Sequence, residues 1–331
     1  MEKIAVIIPN WNGQRFLKTC LDSLRAQHYR DFAVYLVDNG SSDDSLKFVR
    51  EHYPEVTLIA LPQNLGFSAA INAGIRASTG ELVAALNNDT ETDPAWLEEL
   101  VKVMDSRPDI HFCASLVLDF KERHIIDSYG DYYSFIGKSG KVGEGKNSKN
   151  LDPEPMEIFS ASAAASVYRR SMLDQIGLFD EDFFCYMEDM DLGIRAQLAG
   201  YSGLAIPTAR VYHIGSASTG SDMSAFSLSM TTKNIFNILL KDIPVPLLIL
   251  MLPLSIGAQL WLVSEALFTK RRPKFRKHIK AYFQGLAQGI RLAPAMLRKR
   301  RGVQRTRKLN VVKFGMKIYL SRVQNLGFPV A

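Results

Sequence analysis

The chain has 331 residues, 47% apolar and 22% charged, which excludes a disordered, collagen-like or disulfide-stapled polypeptide and leaves room for one or two packed domains. Cys20, Cys113 and Cys185 stand singly, with no CxxC pair; a reducing compartment fits, a structural zinc site does not, and each reads as a small buried hydrophobe. The net charge of +6 divides unevenly: residues 241–331 hold 19 Lys and Arg against Asp242 and Glu265, a balance of +17, whereas the first 240 residues hold 21 basic against 32 acidic residues, a balance of −11.

Met1-Glu2-Lys3 leads directly into the apolar run 4–8, without the pattern of a cleavable signal, so the front of the protein is expected to face the cytoplasm. The runs 4–8, 34–37, 56–59 and 82–86 are short and rich in Val, Ile and Leu, as buried parallel strands should be. Between them, residues 16–26 repeat apolar side chains at helical spacing, residues 45–51 follow the capping cluster Ser41-Ser42-Asp43-Asp44, and residues 68–77 are rich in Ala. Strand and helix alternate, which predicts a doubly wound α/β sheet with its ligand outside the carboxyl ends of the strands.

Those strand ends are polar. The first is followed by Pro9-Asn10-Trp11-Asn12-Gly13, the second by Asp38-Asn39-Gly40-Ser41-Ser42-Asp43 and the fourth by Asn87-Asn88-Asp89. No GxGxxG follows the first strand, so a dinucleotide fold is not indicated. Asp38 offers a carboxylate to a base or ribose, and reads equally well as a turn residue. Asn64-Leu65-Gly66-Phe67, with Asn72 and Gly74 beyond, sets amide groups where a nucleotide diphosphate would lie, although a loop entering a helix needs no ligand. Asn87-Asn88-Asp89 directly follows a buried strand and must be solvated, coordinated or used as a cap; a divalent cation bridging two phosphates needs only one or two protein oxygens.

Further on, the aromatic run 183–187 gives way to Glu188-Asp189 and a helix with Leu192, Ala196 and Ala199 on one face, closed by Gly200. Two carboxylates at such a strand-to-helix corner are in a setting that raises a pKa toward that of a usable base, and they serve equally as helix caps. Asp191 is expected to charge the helix N-terminus. His213 ends a strand-like run, and the Ser/Gly stretch from Gly215 to Ser229 reads as a mobile loop able to close over substrate.

The ordered set Val6-Ile7-Ile8-Pro9-Asn10-Trp11-Asn12-Gly13, Val37-Asp38-Asn39-Gly40-Ser41-Ser42-Asp43, Asn64-Leu65-Gly66-Phe67, Leu86-Asn87-Asn88-Asp89 and Met187-Glu188-Asp189-Met190-Asp191-Leu192 resembles glycosyltransferase family 2, the inverting GT-A enzymes, over roughly residues 3 to 240. It is most similar to the bacterial rhamnosyltransferase and galactofuranosyltransferase branch. The resemblance implies a GT-A mixed sheet with a Rossmann-like nucleotide-binding half, a nucleotide-sugar donor held near Pro9, Asn10, Asn12, Asp38, Asn64, Gly66, Asn72, Asn87 and Asn88, and Mg²⁺ or Mn²⁺ at Asp89 and His213. It assigns the general base to Asp189, with Glu188 orienting the acceptor hydroxyl. The family's Asp-x-Asp stands here as Asn87-Asn88-Asp89, with an amide in place of the first carboxylate, and the Gln-x-x-Arg-Trp signature of processive synthases is absent.

Residues 243–264 carry no charge and are followed by Lys270-Arg271-Arg272-Pro273-Lys274 and later by Arg298-Lys299-Arg300-Arg301. That length would span a bilayer. Pro244, Pro246 and Pro253 favour helices lying in or dipping into the cytoplasmic interface instead, peripheral or with one short membrane-embedded segment, with the basic residues against anionic head groups. Residues 1–240 are therefore expected to form the transferase domain and 241–331 a helical membrane-associating region. Nucleic acid is not an expected partner, because the basic residues alternate with apolar runs and match no nucleic-acid motif. The expected activity is transfer of one sugar, rhamnose from dTDP-rhamnose as first choice, to a lipid-linked glycan. The alternatives are a polyprenyl-phosphate sugar transferase and a catalytically silent nucleotide-sugar-binding or membrane scaffold.

Overall fold

The computed structural model describes residues 2–215, 224–269 and 271–327. Strands β1 (Ile4–Asn10), β2 (Phe32–Asp38), β3 (Thr57–Ala60) and β4 (Leu82–Leu86) pair in parallel in the order β3-β2-β1-β4, with helices α1 (Gln14–Arg25), α2 (Ser45–His52) and α3 (Phe67–Ala77) as crossovers. Every residue of β4 is buried, because helices cover both faces of the sheet and leave no side for a polar residue. In α1 the buried residues are Leu17, Cys20, Leu21 and Leu24, the stripe that a 3.6-residue period presents to the sheet.

The sheet continues through β5 (Thr90–Thr92), helix α4 (Trp96–Ser106), β6 (Ile110–Asp119) and the short strands β7 (Ile126–Ser128), β8 (Asp131–Tyr133), β9 (Ser139–Lys141) and β10 (Met156–Ile158). Then come β11 (Ala165–Arg169), helices α5 (Arg170–Ile176) and α6 (Glu188–Leu198), and β12 (Ser202–His213). β11 lies antiparallel between β4 and β6, and β12 runs parallel to β6, so the sheet is mixed. Two edge pairings matter for the site: β5 lies antiparallel on the end of β12, and β7 on the end of β6.

The C-terminal helices are α7 (Ala225–Lys241), α8 (Val245–Phe268), α9 (Pro273–Lys277), α10 (Ile279–Thr306) and α11 (Val311–Gly327). Ser224 caps α7: its Oγ accepts from the Ser227 N–H at 3.0 Å, and the Ser227 hydroxyl closes the box back onto the Ser224 N–H. The loop expected over 215–229 therefore ends at this cap, with 225–229 helical, while residues 216–223 lie outside the described residues.

α10 runs alongside α7 in the same direction. Gly285 faces the Ser229 carbonyl so closely that a Cβ there would stand 2.2 Å from it, and the Arg300 guanidinium donates to the carbonyls of Leu240 at 2.9 Å and Ile243 at 2.6 Å. α8 departs from the end of α7 and returns to its beginning, where Ala266 packs with Phe275, Tyr282 and Leu228. Pro246 occupies the first turn and Pro253 the interior, yet the helix is continuous; its 24 residues span about 36 Å. Met251, Ser255 and Ala266 are buried, while Ile249, Leu260, Trp261 and Phe268 are 72, 65, 65 and 84% exposed.

The boundary expected between residues 240 and 241 falls on the last residue of α7, and one hydrophobic core runs across it. Phe183, Met187 and Ile194 pack with Ile238 of α7, Met251 of α8, Met296 of α10 and Phe314 of α11. Asp191 lies in the first turn of α6, as expected of an N-terminal helix charge, and is also fully buried, bonded by both Nε and Nη2 of Arg195 at 2.9 and 2.8 Å and paired with Lys241. Lys241 also reaches Asp180 at 2.8 Å, so this buried ion network crosses the same boundary. Cys20 and Cys113 are buried as expected, whereas Cys185 is half-buried beside the site.

Candidate active site

A cleft of about 630 Å³ opens at the carboxyl ends of β1, β4 and β12 and at the start of α6. Its sheet side is a chain of side-chain hydrogen bonds. Asn88 Nδ2 donates to Asn10 Oδ1 at 2.7 Å, Asn10 Nδ2 donates to Asp38 Oδ1 at 3.1 Å, and Asp38 Oδ2 accepts from the Ser41 N–H at 3.0 Å. Pro9, Asn10, Trp11, Asn64, Gly66, Asn87, Asn88 and Asp89 line the cleft. Asp38 does not: it is 1% exposed, and its carboxylate closes the turn after β2. Asn12, in a left-handed conformation, accepts from the Ser42 N–H at 2.8 Å and ties the loops after β1 and β2 together. Asn72 is directed away from the cleft, donating to the Phe179 carbonyl at 2.8 Å and to Glu181 at 2.9 Å. At Gly66, φ is +90° and a Cβ would meet the Phe184 carbonyl at 2.5 Å, so glycine alone fits this approach of loop to loop.

One end of the cleft brings Asp89 and His213 together. His213 pairs with Thr90 in the β5–β12 ladder and the Ile214 N–H donates to the Asp89 carbonyl at 3.0 Å, which sets the two side chains side by side. Asp89 Oδ1 lies 3.3 Å from His213 Nε2, and Asn87 Nδ2 lies 3.4 Å from the same nitrogen. The far ring nitrogen, Nδ1, lies 2.8 Å from Asp127 Oδ2, and Asp127 is in turn paired with Lys141 at 2.6 Å. Burial disfavours the imidazolium, but Asp127 and Asp89 outweigh it and raise His213 to about 9. Burial raises Asp127, and His213 and Lys141 overcome that to hold it at about 2.

A divalent cation fits this donor set. Asp127 fixes the His213 ring as carboxylates fix metal-bound histidines, leaving Nε2 and a carboxylate oxygen converging from adjacent backbone positions. Among the described residues no cluster of three or more His, Cys, Asp or Glu side chains could hold a metal, so the ion would complete its shell from phosphate oxygens and water.

The other end carries Glu188 and Asp189 in the first turn of α6. The expected strand before them is absent. A short 3₁₀ turn over Glu181–Phe183 is followed by Phe184, Tyr186 and Met187, all with positive φ, because the chain must reverse sharply before α6 can start. Asp189 accepts from the Ala163 N–H at 3.2 Å and the Met190 N–H at 2.7 Å. Burial nevertheless raises its pKa. Glu188 is 7% exposed, one of its oxygens has no hydrogen-bond partner, and burial followed by the charge of Asp189 pushes it up to about 8. Residues 163 and 164 link the two ends: the Ala164 carbonyl accepts from the Asn87 N–H at 2.9 Å, one residue from the N–H that binds Asp189.

Asp127, Asp131 and Lys141 were not evident from the sequence. Asp131 is a buried carboxyl whose pKa is raised well above the usual range by burial and by Asp189. All three sit on β7, β8 and β9, three-residue strands with no apolar run to announce them. Trp11, Phe184, Tyr186 and Phe226 give the cleft an aromatic wall.

A family model for glycosyl transferase family 2 matches residues 5–177, just over half of the chain. Over 242 residues the chain is 28% identical to the N-acetylglucosaminyl-diphospho-decaprenol L-rhamnosyltransferase of Mycobacterium tuberculosis, covering 66% of this chain and 78% of that protein. Among solved structures, GalNAc-T7 with UDP, GalNAc and Mn²⁺ aligns with a TM-score of 0.58 at 17% identity, over 72% of this chain and 48% of that one, so this chain spans about half of its length. S. aureus TarS 1–349 aligns with a TM-score of 0.55 at 16% identity, over 92% and 91%. Both have the GT-A fold seen here.

Proposed function

Because the chain belongs to glycosyl transferase family 2, we propose that it transfers one sugar, with inversion at the anomeric carbon, from a nucleotide-sugar donor to a glycan carried on a membrane lipid. The observation that supports this most is the convergence on one cleft of the Asp89–His213 pair and the Glu188–Asp189 pair, at the strand ends where α/β sheets bind ligands. The relative that acts on a decaprenol-linked N-acetylglucosamine and transfers L-rhamnose makes dTDP-rhamnose the first donor to try.

In the proposed reaction Asp189 takes the proton from the acceptor hydroxyl, its raised pKa making it a stronger base than an exposed aspartate. Glu188 orients that hydroxyl; burial and the charge of Asp189 raise the pKa of Asp131, which disfavours a second charge beside the base. Asn64 and Asn88 present amides to the donor nucleotide, and Asn10, whose amide is used at both ends by Asp38 and Asn88, holds Asn88 in place. Asp89 and His213 would hold a Mg²⁺ or Mn²⁺ ion, which would supply positive charge to the departing diphosphate. Cys185 is no competing nucleophile, since burial raises its thiol and keeps it protonated.

The C-terminal helices are proposed to rest on the cytoplasmic membrane surface. α8 is apolar around its circumference, with a mean hydropathy of 2.0, yet only 11% of its apolar window is buried, and a helix of that kind finds its solvent in lipid. Because α8 leaves and rejoins the same helix layer, lying along the interface suits it better than crossing. The basic residues following α8 suit anionic head groups.

A thermal-shift screen of nucleotide sugars with Mg²⁺ or Mn²⁺ tests the donor assignment: dTDP-rhamnose with metal is expected to give the largest rise in Tm. No rise with any nucleotide sugar would favour the scaffold alternative. Full-length protein is expected to sediment with phosphatidylglycerol vesicles, and Leu260→Asp with Trp261→Asp to release it; retention by the double variant would place the contact elsewhere.

A further inference from the structure

The loop that delivers the carboxylate pair has a backbone that bulky residues avoid. Phe184, Tyr186 and Met187 have φ of 66, 65 and 65°. Such residues turn peptide planes out of any helix ladder, and here the carbonyls of Phe183, Cys185 and Tyr186 converge on one buried point. Converging carbonyl oxygens away from water repel one another unless a donor fills the space.

Helix α7 fills it. Asn234 Nδ2 lies 3.0 Å from the Phe183 carbonyl, 3.0 Å from that of Cys185 and 2.7 Å from that of Tyr186, and Lys233 Nζ donates to the carbonyls of Asp182 at 2.9 Å and Phe183 at 3.0 Å. Asn234 is fully buried and Lys233 nearly so. The Asn237 amide donates to Asn234 Oδ1 at 3.1 Å, which keeps the nitrogen of Asn234 turned toward the loop. From the opposite side the Ser68 N–H donates to the Phe184 carbonyl at 3.2 Å. α7 cannot recede, because α10 is pressed against its backbone at Gly285 and Gly289.

We propose that Asn234 and Lys233 are positioning residues for the general base: they clamp the loop 183–187 in its left-handed course, and so fix where α6 begins and where Asp189 points. This rests on the reading of Asp189 as the base. An amide and an ammonium buried against carbonyls contribute less to packing than apolar residues of the same size would, so their advantage lies in the single geometry they impose. On the donor side Asn10, Asn88 and Asp89 are held at the ends of the strands, while Gly66 meets the clamped loop at the Phe184 carbonyl. The clamp is therefore expected to act on turnover far more than on donor affinity.

Two variants of the full-length protein test this. Asn234→Asp keeps the shape but turns an oxygen toward the carbonyl oxygens, and Lys233→Met keeps the apolar stem without the ammonium. Amide hydrogen exchange over residues 183–190 is measured first, since it needs no substrate. Turnover is then measured with dTDP-rhamnose, Mn²⁺ and N-acetylglucosaminyl-diphospho-polyprenol, with dTDP-rhamnose affinity alongside. Exchange in 183–190 is expected to quicken at least about 10-fold while β1 and β4 keep their protection, and kcat to fall about 100-fold for Asn234→Asp and about 10-fold for Lys233→Met, with donor affinity within about threefold.

The inference is overturned if loop exchange and kcat stay within about threefold of wild type in both variants, or if donor affinity falls as far as kcat. Should Asn234→Asp lose protection throughout the protein, Lys233→Met decides by the same criteria. Failure of the base assignment is seen separately, as turnover retained by Asp189→Asn. If the wild type does not use dTDP-rhamnose, the exchange measurement decides alone.

Discussion

At one end of the cleft Asp89 and His213 are set by strand pairing, since β5 on β12 leaves them adjacent whatever their side chains are. At the other end Glu188 and Asp189 start a helix that no strand precedes, after a loop held by buried side chains from α7. A site built on ladders loses little more than the altered group when one residue is changed, because backbone hydrogen bonds keep the rest in place. A site held by buried polar side chains is more exposed to change, since each lost donor leaves several acceptors unsatisfied. On the proposed reading the contrast also divides the labour: donor and cation fall to the strand ends, proton abstraction to the start of α6.

The largest effect expected from this contrast is that of Asp189→Asn, which removes only the base. Turnover should fall by about 10²–10⁴-fold with dTDP-rhamnose affinity nearly unchanged. Wild-type kcat should decline toward acid with a midpoint above the ordinary aspartate range, because burial raises Asp189. Retained turnover within about tenfold of wild type would remove Asp189 from the role.

Next in size are Asp89→Ala and His213→Ala, each expected to weaken Mn²⁺-dependent binding of dTDP-rhamnose by at least about 10-fold, with the double variant little worse than either, because both serve one ion. Full additivity, or full activity in a chelator, would contradict a shared cation site.

A smaller effect concerns stability. Glu188 is raised from its ordinary 4.5 to about 8, so between those values the folded protein holds a proton that the unfolded chain has released. Stability therefore falls as pH rises from about 4.5 through about 8 and stays reduced above it. Glu188→Gln never ionises and escapes that fall. Its Tm relative to wild type should be near zero difference at acid pH and higher by about 2–4 °C at pH 9, measured by calorimetry. A constant difference across pH would mean that Glu188 titrates normally.

The smallest expected change is Asn87→Asp. Its amide stands 3.4 Å from His213 Nε2, so a carboxylate there should tighten Mn²⁺ binding about 3- to 10-fold in a titration with dTDP-rhamnose present. An unchanged affinity would show that position 87 does not face the ion.

The same contrast explains what was legible in the sequence. Runs such as 82–86 fit buried strands, and in an α/β sheet polar residues such as Asn87-Asn88-Asp89 at a strand end fall where ligands bind, so the sheet side was open to reading from residue order. Glu188-Asp189 stood out as charges against aromatics, but the turn before them did not, because nothing in Phe184, Tyr186 or Met187 announces a left-handed backbone. Lys233 and Asn234 look like exposed helix polars until the carbonyls they serve are brought beside them from 50 residues upstream. Asp127 reaches His213 from 86 residues away, a relation that only the pairing of β7 with β6 creates. The prolines misled in the other direction: Pro246 falls in a first turn, where its missing N–H is harmless, and Pro253 is accommodated within a continuous α8.

The division between the two ends is tested most directly by one calorimetric comparison, titrating dTDP-rhamnose with Mn²⁺ into Asp189→Asn and into Asp89→Ala. Asp189→Asn is expected to bind within about threefold of wild type, and Asp89→Ala to bind at least about 10-fold more weakly. Equal losses in both variants, or a greater loss in Asp189→Asn, would contradict it.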